Sequence, residues 1–134
     1  MKRKNLLAIF LVFAAIAAAT IIFLRNQNDS VSYLTKESKP PEDGEKIKLL
    51  IENVKFEAEV VKSPAARARG LGGRTDLCPQ CGMLFIFETD NYHAFWMKDT
   101  LIPLDIIWLD KDWQVVDFTA FAQPQAGRPD EELP

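Results

Sequence analysis

Ile47-Lys48-Leu49-Leu50-Ile51-Glu52-Asn53-Val54-Lys55-Phe56-Glu57-Ala58-Glu59-Val60-Val61 is the stretch on which the fold class turns. Its second half alternates. Val54, Phe56, Ala58 and Val60 fall on one side and Lys55, Glu57, Glu59 and Val61 on the other, the period of two that a strand with one buried face requires. Ile47 to Ile51 reads as the preceding strand. Glu52-Asn53 between them fits a two-residue hairpin, because Asn tolerates positive φ. Ser63-Pro64 then joins an N-cap residue to a proline at the first helical position, where its missing N–H costs nothing. Ala65 to Arg69 supply about two helical turns, and Gly70 is placed to end them.

Working outward toward the carboxyl end, a glycine-rich loop leads into Met83-Leu84-Phe85-Ile86-Phe87, a nearly continuous apolar strand. Phe95 to Met97 and Leu104 to Leu109 read as further strands. Asp110-Lys111-Asp112 makes a turn from which Gln114 to Phe121 runs back. Strands with a single short helix predict a mainly β domain over 47–134: compact, mainly antiparallel, and barrel-like or a sandwich. Gln123 to Pro134 is polar and proline-rich, with no closing strand after Phe121. A barrel built from what remains has an unpaired edge, which soluble proteins usually cover. The expectation is a domain without its last strands.

Toward the amino end, Lys2, Arg3 and Lys4 precede an uncharged run from Leu6 to Leu24, closed by Arg25. As a helix this run covers about 28 Å, close to the thickness of a bilayer core. It predicts a single transmembrane signal anchor over 1–25, with its amino terminus inside and the domain on the outer, periplasmic or extracellular side of the cytoplasmic membrane. The alternative is secretion after cleavage near Ala17-Ala18-Ala19, but Ile21 to Leu24 carry the apolar run well past that site. No cysteine lies nearby, which excludes a lipoprotein. Residues 26–46, with Lys39-Pro40-Pro41-Glu42-Asp43-Gly44, have little to bury and read as a flexible linker.

Four of the 16 Lys and Arg flank the apolar run, so the rest of the chain is acidic against 19 Asp and Glu. Nucleic-acid binders show a basic surface, and that class of partner is excluded.

Four motifs stand in order: Ser63-Pro64-Ala65-Ala66-Arg67-Ala68-Arg69-Gly70-Leu71, Gly82 to Phe87, Phe95-Trp96-Met97-Lys98-Asp99-Thr100 and Ile102-Pro103-Leu104-Asp105-Ile106. Together they resemble the DUF192 (UPF0127) family, over roughly residues 47–121. The resemblance implies a small β-rich, often exported domain with no assigned activity or cofactor. The chain departs from that pattern at Gly70-Leu71-Gly72-Gly73-Arg74, where the family usually has Gly-Leu-Met before Arg. It departs again at Lys98-Asp99-Thr100, where the family usually has Lys-Asn-Thr. The family domain also continues beyond the last strand read here.

The third and fourth motifs crowd polar groups into apolar surroundings. Asp105 lies between Leu104 and Ile106, and a covered carboxylate must be paired. Arg69, Arg74 and Lys98 are its candidate partners. The pairing is either a structural tie or the polar floor of a site in which the arginines grip an anion. Lys98, Asp99 and Thr100 stand where a strand gives way to a loop, a common place for function and also ordinary turn chemistry. Trp96 and Phe95 point to opposite sides, so one packs while the other can floor a groove. Arg69, Arg74, Trp96, Lys98, Asp99, Thr100 and Asp105 are the candidate ligand-binding residues.

Cys78-Pro79-Gln80-Cys81 reads as a disulfide closing a short loop. A redox-active pair usually opens a helix, whereas an apolar strand follows here. His93 is the sole histidine, so no metal site or cofactor is expected and no catalytic residue is assigned. The leading expectation is a membrane-anchored domain that binds an envelope ligand or protein. The alternatives are a hydrolase using Asp99 or Asp105 with Lys98 and, third, thiol–disulfide chemistry at Cys78 and Cys81.

Overall fold

The computed structural model of the protein describes residues 8–14, 31–33, 40–51, 54–89, 91, 93–125 and 132–133. In chain order these form β1 (Ala8–Ala14), β2 (Val31–Tyr33), β3 (Lys46–Ile51), β4 (Val54–Val61), α1 (Pro64–Arg69), β5 (Cys81–Phe87), β6 (Phe95–Trp96), β7 (Leu104–Leu109), β8 (Val115–Ala122) and β9 (Glu132–Leu133). Seven strands make one sheet in the order β2-β3-β4-β5-β1-β7-β8, and β6 pairs with β9 in a second.

The hairpin expected from the opening stretch is present. Ile51 pairs with Val54 and Lys46 with Glu59, although its two turn residues lie outside the described ones. Ile47, Leu49, Ile51, Ala58 and Val60 are buried together with Leu84, Ile107 and Leu109 on one face of the sheet. Val61 lies on the opposite face, as the alternation requires, but that face is covered too. It is buried with Leu71, Met83, Phe85, Met97, Leu104, Ile106 and Trp108 in a second cluster. Odd and even residues of β5 and β7 thus feed different clusters, so both faces of the sheet are covered there. A strand buried on both faces has no polar side to display, which is why β5 and β7 read as continuous apolar runs.

Helix α1 starts as its sequence requires. The Ala66 amide donates to Ser63 Oγ at 3.2 Å, Pro64 opens the first turn, and the Gly70 amide returns to the Ala66 carbonyl at the other end. Asp43 reinforces this start, its carboxylate accepting the backbone amides of Lys62 and Ser63. Contact with Ser63, then with Lys62, holds the Asp43 carboxyl below its ordinary range.

One expectation is corrected. The sheet does not close into a barrel among the described residues, since β2 and β8 form its two edges. Pairing is mainly antiparallel, as expected, with the exception that β4 and β5 run parallel, Glu57 opposite Cys81 through Val61 opposite Phe85. A parallel pair needs a crossover of a dozen residues or more, and α1 with its following loop supplies it. The expected helix over 1–25 falls mostly outside the described residues. Its described part, Ala8–Ala14, is a strand between β5 and β7. An uncharged apolar run carries no period, so length alone favoured the helix, while Ile9, Phe10, Val12 and Phe13 are good strand formers. Among the described residues no helix is long and apolar enough to cross a membrane. Beyond Phe121, the short β9 adds a partner to Phe95 and Trp96 that the composition of 123–134 did not suggest.

Candidate functional site

The crossover sets α1 and residues 70–74 against the segment 95–100. Gly70 turns the chain at φ +47°, so close to Phe85 that an added Cβ would lie 3.3 Å from its ring. At Gly72 an added Cβ would lie 3.0 Å from the Arg69 carbonyl oxygen. The loop is stitched to its neighbour by the Gly73 amide, which donates to the Asp99 carbonyl at 2.9 Å. Asp99 itself has φ +54°. Asp and Asn are the side-chain-bearing residues that enter this region most readily, so Asp99 meets the same backbone demand as the Asn the resemblance led us to expect. The Thr100 amide closes the turn on the Met97 carbonyl at 3.0 Å, and Thr100 Oγ1 donates to the Lys98 carbonyl at 3.3 Å.

Between these two segments lies an open cleft of about 230 Å³. Phe85, Phe95, Met97, Leu104 and Ile106 form its apolar floor, and Arg69, Trp96, Lys98 and Thr100 also line it. A contiguous hollow on the same rim adds Gly73 and Asp99. Phe95 meets Phe85 edge-on at 4.7 Å, fixing the floor, while Trp96 on the opposite side of its strand is 46% exposed. The expected division of Phe95 and Trp96 between packing and surface is therefore present. Lys98 Nζ stands 5.5 Å from the centre of the Trp96 ring, within the range of a cation–π contact.

Five of the seven candidate residues thus come together: Arg69, Trp96, Lys98, Asp99 and Thr100. Arg74 and Asp105 do not line the cleft. Arg74 is 2.6 Å from Glu59 Oε2, on the surface of β4. Asp105 is buried and accepts the Phe121 amide at 2.8 Å. The register between β7 and β8 shifts at this point, and Phe121 has φ +59°. Asp105 therefore holds a bulge in the neighbouring strand through a backbone amide.

Two contributors were not singled out from the sequence. Arg67 lies over the Phe87 ring at 4.6 Å and donates to the Ile86 carbonyl at 2.9 Å and to the Lys62 carbonyl, so it buttresses the cleft wall. Its spacing from Arg69 was legible, but which of the two turns inward depends on the crossover. Phe87 also stacks on His93 at 3.8 Å, and His93 Nε2 is 3.1 Å from the Thr89 carbonyl. Cys78 and Cys81 lie at disulfide distance with Cα atoms 5.0 Å apart, as expected, just where β5 begins. Among the described residues no group of three His, Cys, Asp or Glu is placed to hold a metal ion.

The motifs that shape the cleft fall inside a family match over residues 47–133, to DUF192, described as an uncharacterised ACR. The chain belongs to the DUF192 family. The match extends past the 47–121 over which the motifs alone carried the resemblance. Neither curated proteins nor solved structures gave a match. The residues of this DUF192 domain must therefore supply the chemical argument themselves.

Proposed function

We propose that this DUF192 domain binds a small anionic molecule with an apolar face, at the outer side of the cytoplasmic membrane. One observation carries the reading: Arg69 and Lys98 stand on the rim of a cleft whose floor is apolar. A guanidinium grips a carboxylate or phosphate in two-pronged fashion, and the floor takes up the remainder of the molecule. Trp96 offers a ring face on which a flat ligand stacks. Asp99 on the same rim limits the positive charge there, which favours a singly charged ligand over a polyanion. The volume suits one ring or a short chain, being below the 300 Å³ or more of clefts that take drug-sized ligands. Where residues 6–24 enter the bilayer they anchor the chain, which raises the domain's effective concentration for ligands released at the envelope.

The test titrates the full-length protein with aromatic and aliphatic monocarboxylates and with their neutral amides, following tryptophan fluorescence. Carboxylates are expected to bind and the amides to fail. Arg69→Ala is expected to weaken binding by about tenfold or more, as charge-assisted hydrogen bonds contribute about 1.5–3 kcal/mol. Equal binding of acid and amide, or none by either, removes the reading.

A further inference from the structure

Strands β5 and β7 do not pair with each other. Ala8–Ala14 lies between them, antiparallel to both, from Ala8 opposite Phe87 to Phe13 opposite Gly82 and from Ile9 opposite Leu109 to Ala14 opposite Leu104. The family match begins at residue 47, so the strand joining the two halves of the sheet comes from outside the matched region. The slot walls are deeply buried, with Met83, Leu84, Ile106 and Ile107 all at 3% exposure or less. Backbone groups along such walls must be paired. An extended, uncharged segment meets that demand, and residues 8–14 are one.

The same residues sit inside the uncharged run from Leu6 to Leu24. We propose that the slot between β5 and β7 is a strand-acceptor site that competes with the lipid bilayer for residues 8–14. This rests on the anchoring reading above. A membrane-spanning helix satisfies its backbone internally and a strand satisfies it sideways, so one segment cannot do both at once. The protein then has two exclusive forms: one docked and released from the bilayer, the other embedded with the slot open. An open slot is an edge that pairs with extended apolar chain, and the cis segment is the occupant that refills it.

Cysteine pairs in the full-length protein test this. Ile9→Cys with Ile86→Cys, and separately Ala8→Cys with Phe87→Cys, are neighbouring register pairs, so one of them falls at the closer, non-hydrogen-bonded spacing. After oxidation, alkaline extraction separates embedded from released protein, and mass spectrometry identifies the cross-link. A cross-link within one chain is expected in the released fraction, falling in the embedded fraction to the background of the single-cysteine variants. Background in both fractions, equal yield in both, or a link only between chains overturns the proposal. Leu11→Pro gives a second readout, because proline breaks the ladder yet is tolerated in membrane helices. The embedded fraction is expected to rise, and an unchanged or smaller one overturns the proposal. These yields are read without ligand, so their failure leaves the cleft reading intact, and failure of the titration leaves them intact.

Discussion

On the surface of β3 and β4, Lys46 stands 2.8 Å from Glu57 and Arg74 reaches Glu59 at 2.6 Å. At the cleft Arg69 is used differently. Arg69 makes no side-chain hydrogen bond or ion pair among the described residues, and Lys98 lies over the Trp96 ring. Both regions are partly exposed and both mix charge with apolar surface. On the strands, carboxylates of β4 answer the cations, in contacts that solvent screens. At the cleft, no carboxylate answers Arg69, and an apolar floor lies beneath it. Paired charge on a flat sheet is explained by the sheet itself. Charge at the lip of an apolar hollow leaves room for an answer from outside the chain.

The sharpest way to break this contrast is through Asp105, which the sequence grouped with the cleft and the structure places elsewhere. Asp105→Ala removes the acceptor of the part-buried Phe121 amide, and a destabilisation of about 1 kcal/mol is expected. Carboxylate binding by the folded fraction should be unchanged. Urea unfolding and ligand titration on one sample check both halves, and a selective loss of binding would return Asp105 to the site.

Arg67 and Arg69 divide the same contrast within one helix. Arg67→Ala is expected to cost about 1 kcal/mol by removing its carbonyl bonds and its seat on Phe87. Arg69→Ala should leave stability within about 0.5 kcal/mol while weakening ligand. The reverse pattern would exchange their roles. Gly70→Ala tests the turn behind them. A side chain at φ +47° so near Phe85 is strained, and about 1 kcal/mol of stability should be lost.

The smallest effects belong to the exposed pairs and appear as pH dependence. The Lys46 ammonium holds the Glu57 carboxyl below its ordinary range, and contact with Ser63 and Lys62 does the same for Asp43. Lowered carboxyl values mean stability that is present above about pH 4, the ordinary carboxylate value, and lost as pH falls through the lowered ones. Lys46 is raised by Glu57, so its share is present below the ordinary lysine range and lost as pH rises beyond it. Asp43→Asn should flatten the acid limb of a urea-midpoint profile. An identical limb would show that Asp43 contributes nothing there.

The local pieces were legible where one rule decided them. Period two gave β4, Ser63-Pro64 and Gly70 bounded α1, and Leu104–Leu109 was bounded correctly by its apolar run. The β3–β4 and β7–β8 pairings were legible from their short turns, but the parallel partnership of β4 and β5 was not, because it depends on where a long crossover lands. The strand at Ala8–Ala14 was not legible, since a continuous apolar run fits a bilayer and a doubly covered sheet equally well. Within the site, the gathering of Arg69, Trp96, Lys98, Asp99 and Thr100 followed from motif order. Asp105 and Arg74 were misplaced because sequence cannot say which face of a bulged strand pair a side chain meets.

The bulge at Phe121 reaches beyond stability. It lies on β8, an outer strand of the sheet among the described residues, beside exposed Val116 and Phe121. A straight edge of that kind templates the addition of another molecule's strand, and an irregularity in its course blocks a continuous ladder. By fixing the Phe121 amide, Asp105 also acts as a guard on solubility. Its loss should register as concentration-dependent aggregation even in protein that remains folded.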